Sequence, residues 1–220
     1  MTKAEVCARI EEIGILPSVR VAGAERARFA VDAVYRAGIP LAEVTMTVPK
    51  ACEVIAQMSK ILPDMVIGAG TVLDTETARR CLDAGAQFLT SPGLIPEVVE
   101  FALKNNVVVF PGALTPSEVV AAWKAGSDFV KVFPCEPMGG YQYIRTLKIP
   151  LPQVKLIASG GVNQQTAYDF ILAGASALGI GGHLIPQEAL SKRKSAQIQE
   201  LARRYLNMVK EARAEKEGIQ

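Results

Sequence analysis

The chain has 220 residues, half of them hydrophobic and 21% charged, which supplies apolar surface for one buried core and shows no compositional sign of disorder. A formal net charge of +2 without a basic block gives no electrostatic reason to expect nucleic acid or an anionic membrane as partner, so a small-molecule substrate is expected. One histidine, His183, and four cysteines with no CxxC pair argue against a His-based metal site, a catalytic triad and a disulfide framework; neither metal nor cofactor is expected.

The first residues, MTKAEVCARIEEIG, alternate charged with apolar side chains and read as a helix rather than a signal peptide. No stretch reaches transmembrane length, and a cytoplasmic protein is expected. Beyond this helix, short Val- and Ile-rich runs alternate with longer helix-period segments, the pattern of βα units and a parallel sheet. Eight strands are predicted, at 15–21, 41–45, 65–68, 88–90, 107–110, 129–133, 154–158 and 177–180. Helices separate them, as at 24–37, 50–62 and 116–125. Gly38, Gly85, Gly126 and Gly174 each follow an alanine at a predicted helix end, where a left-handed backbone is needed, and recur every 41 to 48 residues, the length of two βα units. Four such quarters make an α/β fold, a single (β/α)8 TIM barrel over 1–220 with an N-terminal helix and a C-terminal helical tail. In that tail Ile198, Leu201, Tyr205 and Met208 form an apolar stripe for packing on the barrel or on a neighbouring subunit, and 214–220 is expected to fray. Cys7, Cys52, Cys81 and Cys135 are expected to be reduced and mostly buried.

A charged residue inside a parallel barrel is costly unless it works or is paired. The sixth strand reads DFVKVFP; with Phe129, Lys131 and Phe133 on one face, Lys131 lies among apolar side chains toward the C-terminal end, the active end of such barrels. Loss of water disfavours the ammonium form, and the neutral amine is the species that attacks a ketone carbonyl. The strand position alone leaves a second reading, a lysine that snorkels from the mouth or pairs with a carboxylate. Lys155, at the start of the seventh strand and the opposite end, is expected to be solvated. In the second strand, LAEVT, Leu41, Glu43 and Thr45 share a face, making Glu43 a second inward charge, either a proton shuttle or the lysine's structural ion-pair partner.

Ser159-Gly160-Gly161 and Gly181-Gly182-His183 follow the last two strands, where such barrels bind phosphate on unshielded N–H groups, although turn glycines have the same signature. Gly68-Ala69-Gly70-Thr71 is read as a turn after the third strand, and Ser91-Pro92-Gly93 follows the fourth; both set small residues where backbone approaches a ligand, and Thr71 offers a hydroxyl. Arg20, closing the first strand, suits bidentate binding of a carboxylate or phosphate, or else a rim salt bridge.

EVT at 43–45, GAGTV at 68–72, SPGL at 91–94, PGALTPSE at 111–118, KVFP at 131–134 and SGGV at 159–162 together resemble the 2-keto-3-deoxy-6-phosphogluconate / 4-hydroxy-2-oxoglutarate aldolase family, over about residues 15 to 186. The resemblance implies a class I aldolase that cleaves a 2-keto-3-deoxy-6-phospho sugar acid to pyruvate and glyceraldehyde 3-phosphate, commonly as a homotrimer. It assigns Lys131 as the Schiff-base residue and Glu43 as the proton shuttle, with Thr71 and Phe133 around the pyruvyl group and Ser159, Gly160, Gly161 and Gly182 at the phosphate. Thr45, Thr47 and Pro92 complete the candidate substrate-binding set, and Gly181 and His183 the phosphate set.

The chain departs from the family pattern at Thr47, where many members have a carboxylate-binding arginine that Arg20 is expected to replace, and at His183, where a serine is common. These departures keep two alternatives open: an aldolase for 4-hydroxy-2-oxoglutarate or another non-phosphorylated 2-keto acid, and a non-catalytic barrel that binds sugar acids. Metal-dependent epimerases of this fold need histidines the chain lacks.

Overall fold

A computed structural model describes residues 1–218. Its chain opens with helix α1 (Lys3–Ile13), started by a reciprocal capping box between Thr2 and Glu5 and stopped by Gly14 in a left-handed conformation. Nine strand segments follow: β1 (Ile15–Val19), β2 (Leu41–Thr45), β3 (Val66–Gly70), β4 (Phe88–Thr90), β5 (Val108–Phe110), β6 (Gly112–Ala113), β7 (Val130–Val132), β8 (Leu156–Ser159) and β9 (Ala177–Ile180). Between and after them run α2 (Ala24–Arg36), α3 (Ala51–Ile61), α4 (Thr75–Asp83), α5 (Pro96–Lys104), α6 (Pro116–Lys124), α7 (Tyr141–Lys148), α8 (Ala167–Leu172), α9 (Gln187–Ser191) and α10 (Ser195–Gly218).

All strand pairs are parallel, in the order β5-β4-β3-β2-β1-β9-β8-β7-β6. The two ends of that order, β5 and β6, are one stretch of chain interrupted at Pro111, which has no N–H to give to a ladder. Across this stretch Asp128 N–H donates to the Val109 carbonyl at 3.0 Å and Lys131 N–H to the Pro111 carbonyl at 2.9 Å, so the ring closes. The eight predicted strand positions are thus those of a (β/α)8 barrel, with the fifth position split in two.

The glycines expected at helix ends take that role, with φ of 95° at Gly38, 96° at Gly85, 91° at Gly126 and 104° at Gly174. In the fifth unit Asn106 takes the left-handed position, with φ of 53°. One expectation fails: residues 68–70 are not a turn but the second half of β3. A Cβ on Gly68 would lie 2.3 Å from the Phe88 ring and one on Gly70 would lie 2.0 Å from Glu43 Oε1, so these glycines are barrel-interior positions kept clear for larger neighbours. Elsewhere the ends move by one or two residues: β1 stops at Val19, β7 is Val130–Val132 and β8 is shifted to Leu156–Ser159.

The lower interior is aromatic. Phe110 lies 5.1 Å from Phe88 and 6.1 Å, edge-on, from Phe129, and all three are fully buried. Phe129 precedes Lys131 by two residues and Phe110 precedes Gly112, the register partner of Lys131, by two; the rings therefore form the layer beneath the lysine. Helix α10 buries Ile198, Ala202, Tyr205, Val209 and Ala212 against α2 and α8, so its apolar stripe packs on the barrel, with Leu201 and Met208 half-buried at its edges. Its helical turns continue through 214–218, where fraying is expected from the sequence; residues 219 and 220 of that expected tail lie outside the described residues. All four cysteines are free: Cys81 and Cys135 are buried, Cys7 and Cys52 half-buried, and burial pushes the Cys81 thiol up to about 12 and those of Cys7 and Cys135 up to about 11. Among the described residues no helix is long and apolar enough to cross a membrane.

Phe110→Ala should leave a void in this layer and cost about 3–5 kcal/mol of stability, whereas Ile149→Ala on the exposed surface should change it by less than about 0.5 kcal/mol; urea unfolding of the two variants checks the contrast.

Candidate active site

Polarity inside the molecule gathers at one end of the barrel. Among the described residues the buried polar or charged side chains are Glu43, Thr45, Thr90, Ser91, Lys131 and Ser159, and each lies mid-strand, at a strand's C-terminal end or one residue past it. Two of them carry charge. Lys131 on β7 is 8% exposed and Glu43 on β2 is 1% exposed, with Nζ 3.9 Å from Oε2, an electrostatic contact beyond hydrogen-bond length. The Phe133 ring centroid lies 5.5 Å from the ammonium nitrogen, and Ser18 Oγ on β1 donates to the other carboxyl oxygen, Oε1, at 3.1 Å. Gly70 completes the setting by leaving open the space that Oε1 occupies. Lys155, expected in solvent, has a side chain 48% exposed and pairs with Glu11 at 3.0 Å.

Beside this pair a cavity of about 280 Å³ is lined by Ser18, Arg20, Phe133, Ser159, Gly160, Gly161, Val162, Gly179, Gly181, Gly182 and His183. Ser18 and Phe133 join it to the charged pair. Among the described residues no acidic side chain lines it. The N–H groups of Gly160, Gly161, Gly181, Gly182 and His183 donate to no protein acceptor among the described residues, which leaves a concave set of donors free for an anion. Gly160 and Gly161 have φ of 82° and 89°, and a Cβ on Gly161 would lie 2.3 Å from Glu136 Cβ, so the loop tolerates no larger residue there. Arg20 and His183 are exposed at the rim, and among the described residues no carboxylate pairs with Arg20.

The remaining sequence candidates form the other side of the mouth. The buried Thr45 hydroxyl donates to the Val19 carbonyl at 3.2 Å and lies 2.7 Å from the Thr47 hydroxyl. Thr47 itself is exposed and opens onto a separate cavity of about 490 Å³ that includes Lys50, Thr77 and Arg80; it does not share a cavity with Arg20. Thr71 has φ of 60°, a left-handed backbone unusual for a β-branched residue, held from the next residue by Val72 N–H donating to the Thr90 carbonyl at 3.1 Å. Pro92 is exposed, and its carbonyl oxygen would lie 2.1 Å from a Cβ on Gly112, so that glycine lets the 91–93 loop fold over the strand end. A cavity of about 520 Å³ between α1 and α10 lies at neither the charged pair nor the glycine loops. Among the described residues no three His, Cys, Asp or Glu side chains are grouped as a metal site.

Sequence reasoning missed Ser18; it gave Gly70 a turn's role and Gly112, inside the PGALTPSE motif, no role of its own. Ser18 alternates with the buried Leu16 in ILPSV, and that inward period was the available signal.

An amine and a carboxylate buried together at the C-terminal mouth of a (β/α)8 barrel define a barrel enzyme. The family model described as "Aldolase: KDPG and KHG aldolase" matches residues 6–201, and the chain belongs to that family. It is 31% identical over 201 residues to the 2-dehydro-3-deoxy-phosphogluconate aldolase of Treponema pallidum, covering 91% of this chain and 95% of that one. It is 33% identical over 190 residues to the KHG/KDPG aldolase of Escherichia coli K12, covering 86% and 89%. Among solved structures, the KDPG aldolase of Legionella pneumophila, with pyruvate captured as a covalent carbinolamine, superposes with a TM-score of 0.83 at 28% identity, over 90% of this chain and 96% of that one.

Gly70→Ala is expected to drive the Glu43 carboxyl from its place and lower aldolase turnover by about 10²-fold, the scale of a 1 Å misplacement; steady-state kinetics and the variant's crystal structure check it.

Proposed function

We propose that the protein is a class I aldolase in which Lys131 forms a Schiff base with a pyruvate unit, cleaving a 2-keto-3-deoxy-6-phospho sugar acid to pyruvate and glyceraldehyde 3-phosphate. The observation that carries the proposal is the buried Lys131–Glu43 pair, 3.9 Å apart, beside a cavity of unpaired N–H donors. The names of the relatives and the covalent pyruvate adduct of the Legionella enzyme support it.

In this reading Lys131 first passes its proton to Glu43, the neutral amine attacks the C2 ketone, and Glu43 gives that proton to the departing hydroxyl as the carbinolamine loses water. Glu43, now a carboxylate, removes the proton of the C4 hydroxyl. The electrons of the C3–C4 bond move to the iminium nitrogen and the aldehyde leaves. Glu43 then returns its proton to C3 of the enamine, and water releases pyruvate from Lys131. The iminium is the electron sink, so the scheme uses no metal or other cofactor.

Phe133 is assigned to the flat face of the pyruvyl group, with Thr45, Thr47, Thr71 and Pro92 at its carboxylate side. Ser159, Gly160, Gly161, Gly181, Gly182 and His183 are assigned to the phosphate. Arg20 is assigned there too, rather than to the carboxylate, because it lines the glycine-loop cavity and Thr47 does not. We further propose a cytoplasmic homotrimer with a small molecule as its ligand and neither nucleic acid nor membrane as partner. The exposed Ile61, Leu73, Leu103 and Trp123 supply apolar surface for subunit contacts. A light-scattering mass equal to one or two chains would refute the trimer.

Treatment with pyruvate and borohydride should place a stable adduct on the peptide containing Lys131, and Lys131→Ala should abolish both adduct and turnover; labelling elsewhere with activity retained refutes the scheme. Arg20→Ala should raise the KM for a 6-phosphorylated substrate about ten- to a hundredfold, the worth of a charge-assisted hydrogen bond, and leave that for a non-phosphorylated analogue nearly unchanged.

A further inference from the structure

We infer that Ser18 is a positioning residue for Glu43, holding one carboxyl oxygen so that the other faces Lys131 in both protonation states of the acid. The inference rests on the aldolase reading above, and it concerns a residue outside every motif that carries the family resemblance.

Glu43 is 1% exposed, so bulk water does not orient its carboxyl. Among the described residues its only hydrogen bond is the one from Ser18 Oγ to Oε1, at 3.1 Å. Lys131 faces Oε2 at 3.9 Å, too far to fix a rotamer by hydrogen bonding, and Gly70 only leaves room. The orientation of the carboxyl therefore rests on the serine. Ser18 and Glu43 are register partners on adjacent strands, and one level higher the Thr45 hydroxyl ties β2 to the Val19 carbonyl of β1, which limits slippage between the two.

The choice of a hydroxyl has a chemical reason. Glu43 alternates between carboxylate and carboxylic acid in the proposed cycle. A hydroxyl donates to Oε1 in both states, because the shuttled proton sits on Oε2, the oxygen that faces Lys131, whereas an alanine donates in neither. A buried acid that lost its partner in one state would turn toward another, and the proton would no longer start from the same place. Ser18 is half-buried and lines the substrate cavity, but the role assigned to it is exerted through Glu43.

The test separates the final extent of imine formation from the rate of proton transfer at C3. On the imine formed with pyruvate alone, Glu43 takes a C3 proton and returns a deuteron from D2O, so the methyl signal of pyruvate decays in proton NMR at the rate of the shuttle. Ser18→Ala is expected to reach wild-type borohydride labelling at Lys131 after long incubation with pyruvate but to show exchange slowed about tenfold or more, part of the 10²–10⁴-fold that a positioned acid–base group supplies. Ser18→Thr, which keeps the hydroxyl, should recover most of the rate. Ser18→Ala in a Glu43→Gln background should slow exchange no further. The inference is overturned by wild-type exchange in Ser18→Ala, by a threonine variant as slow as the alanine one, or by equal slowing in the Glu43→Gln background. Absence of labelling at Lys131 in the unaltered protein would instead overturn the aldolase reading.

Discussion

Two opposite charges removed from water inside a barrel mouth set the terms for everything around them. Taking an ammonium and a carboxylate out of water costs several kcal/mol each, and attraction at 3.9 Å without a direct hydrogen bond does not recover it all. An apolar pair of the same volume would serve the fold as well or better. Lys131 and Glu43 therefore make sense as a centre that the fold carries rather than as one that holds it together. Stability comes from elsewhere, from the Phe88–Phe110–Phe129 layer below and from the helices outside, including α10 across α2 and α8.

Space for the centre is made by subtraction. Interior barrel positions are filled by alternating large and small side chains, and here the small member is repeatedly glycine: Gly68 against Phe88, Gly70 against Glu43, Gly179 against the Ser159 hydroxyl. At Gly112 the neighbour is the Pro92 carbonyl, so a missing side chain seats a loop rather than a residue. Each of these glycines has ordinary negative or extended φ, unlike Gly160 and Gly161 at the cavity rim, which need the left-handed region. Glycine thus acts in two distinct ways at the same mouth, by volume inside the strands and by backbone conformation in the loops.

That double meaning explains which parts were legible in the amino-acid order. The helix-ending glycines at 38, 85, 126 and 174 declare themselves locally, because a left-handed residue after an amphipathic run is a property of one short segment. The inward charges of LAEVT and VKV are legible for the same reason, since period two assigns a face without reference to any other strand. Gly68 and Gly70 read locally as a turn; only Phe88 and Glu43, arriving from neighbouring strands, show that they are strand. Pro111 hides the closing seam in a similar way, because the break in its ladder is visible only when β4 and β7 lie on either side. Arg20 is legible as an anion ligand by type, but its place among the glycine loops depends on β1 lying next to β9, the pairing that joins the first strand to the last.

The comparison of Lys131 with Lys155 shows how far residue type alone decides. Each ammonium lies near a phenylalanine ring, 5.5 Å from Phe133 and 5.7 Å from Phe129, and each faces a glutamate, at 3.9 Å and 3.0 Å. The constituents are the same, yet one lysine is buried and the other half in water. What differs is the origin of the carboxylate. Glu11 projects from α1, a helix laid over the barrel floor and held there by Arg213, whose guanidinium donates to the Glu11 and Glu12 carbonyls. Its pair with Lys155 is a solvated clasp between two elements, of small energetic weight. Glu43 projects from a strand into the barrel, between Ser18 and Gly70, where it is 1% exposed and its partner Lys131 8%. The same three side-chain types make a surface ion pair at the floor and a reactive centre at the mouth because strand mounting, not composition, decides whether the charges keep their water.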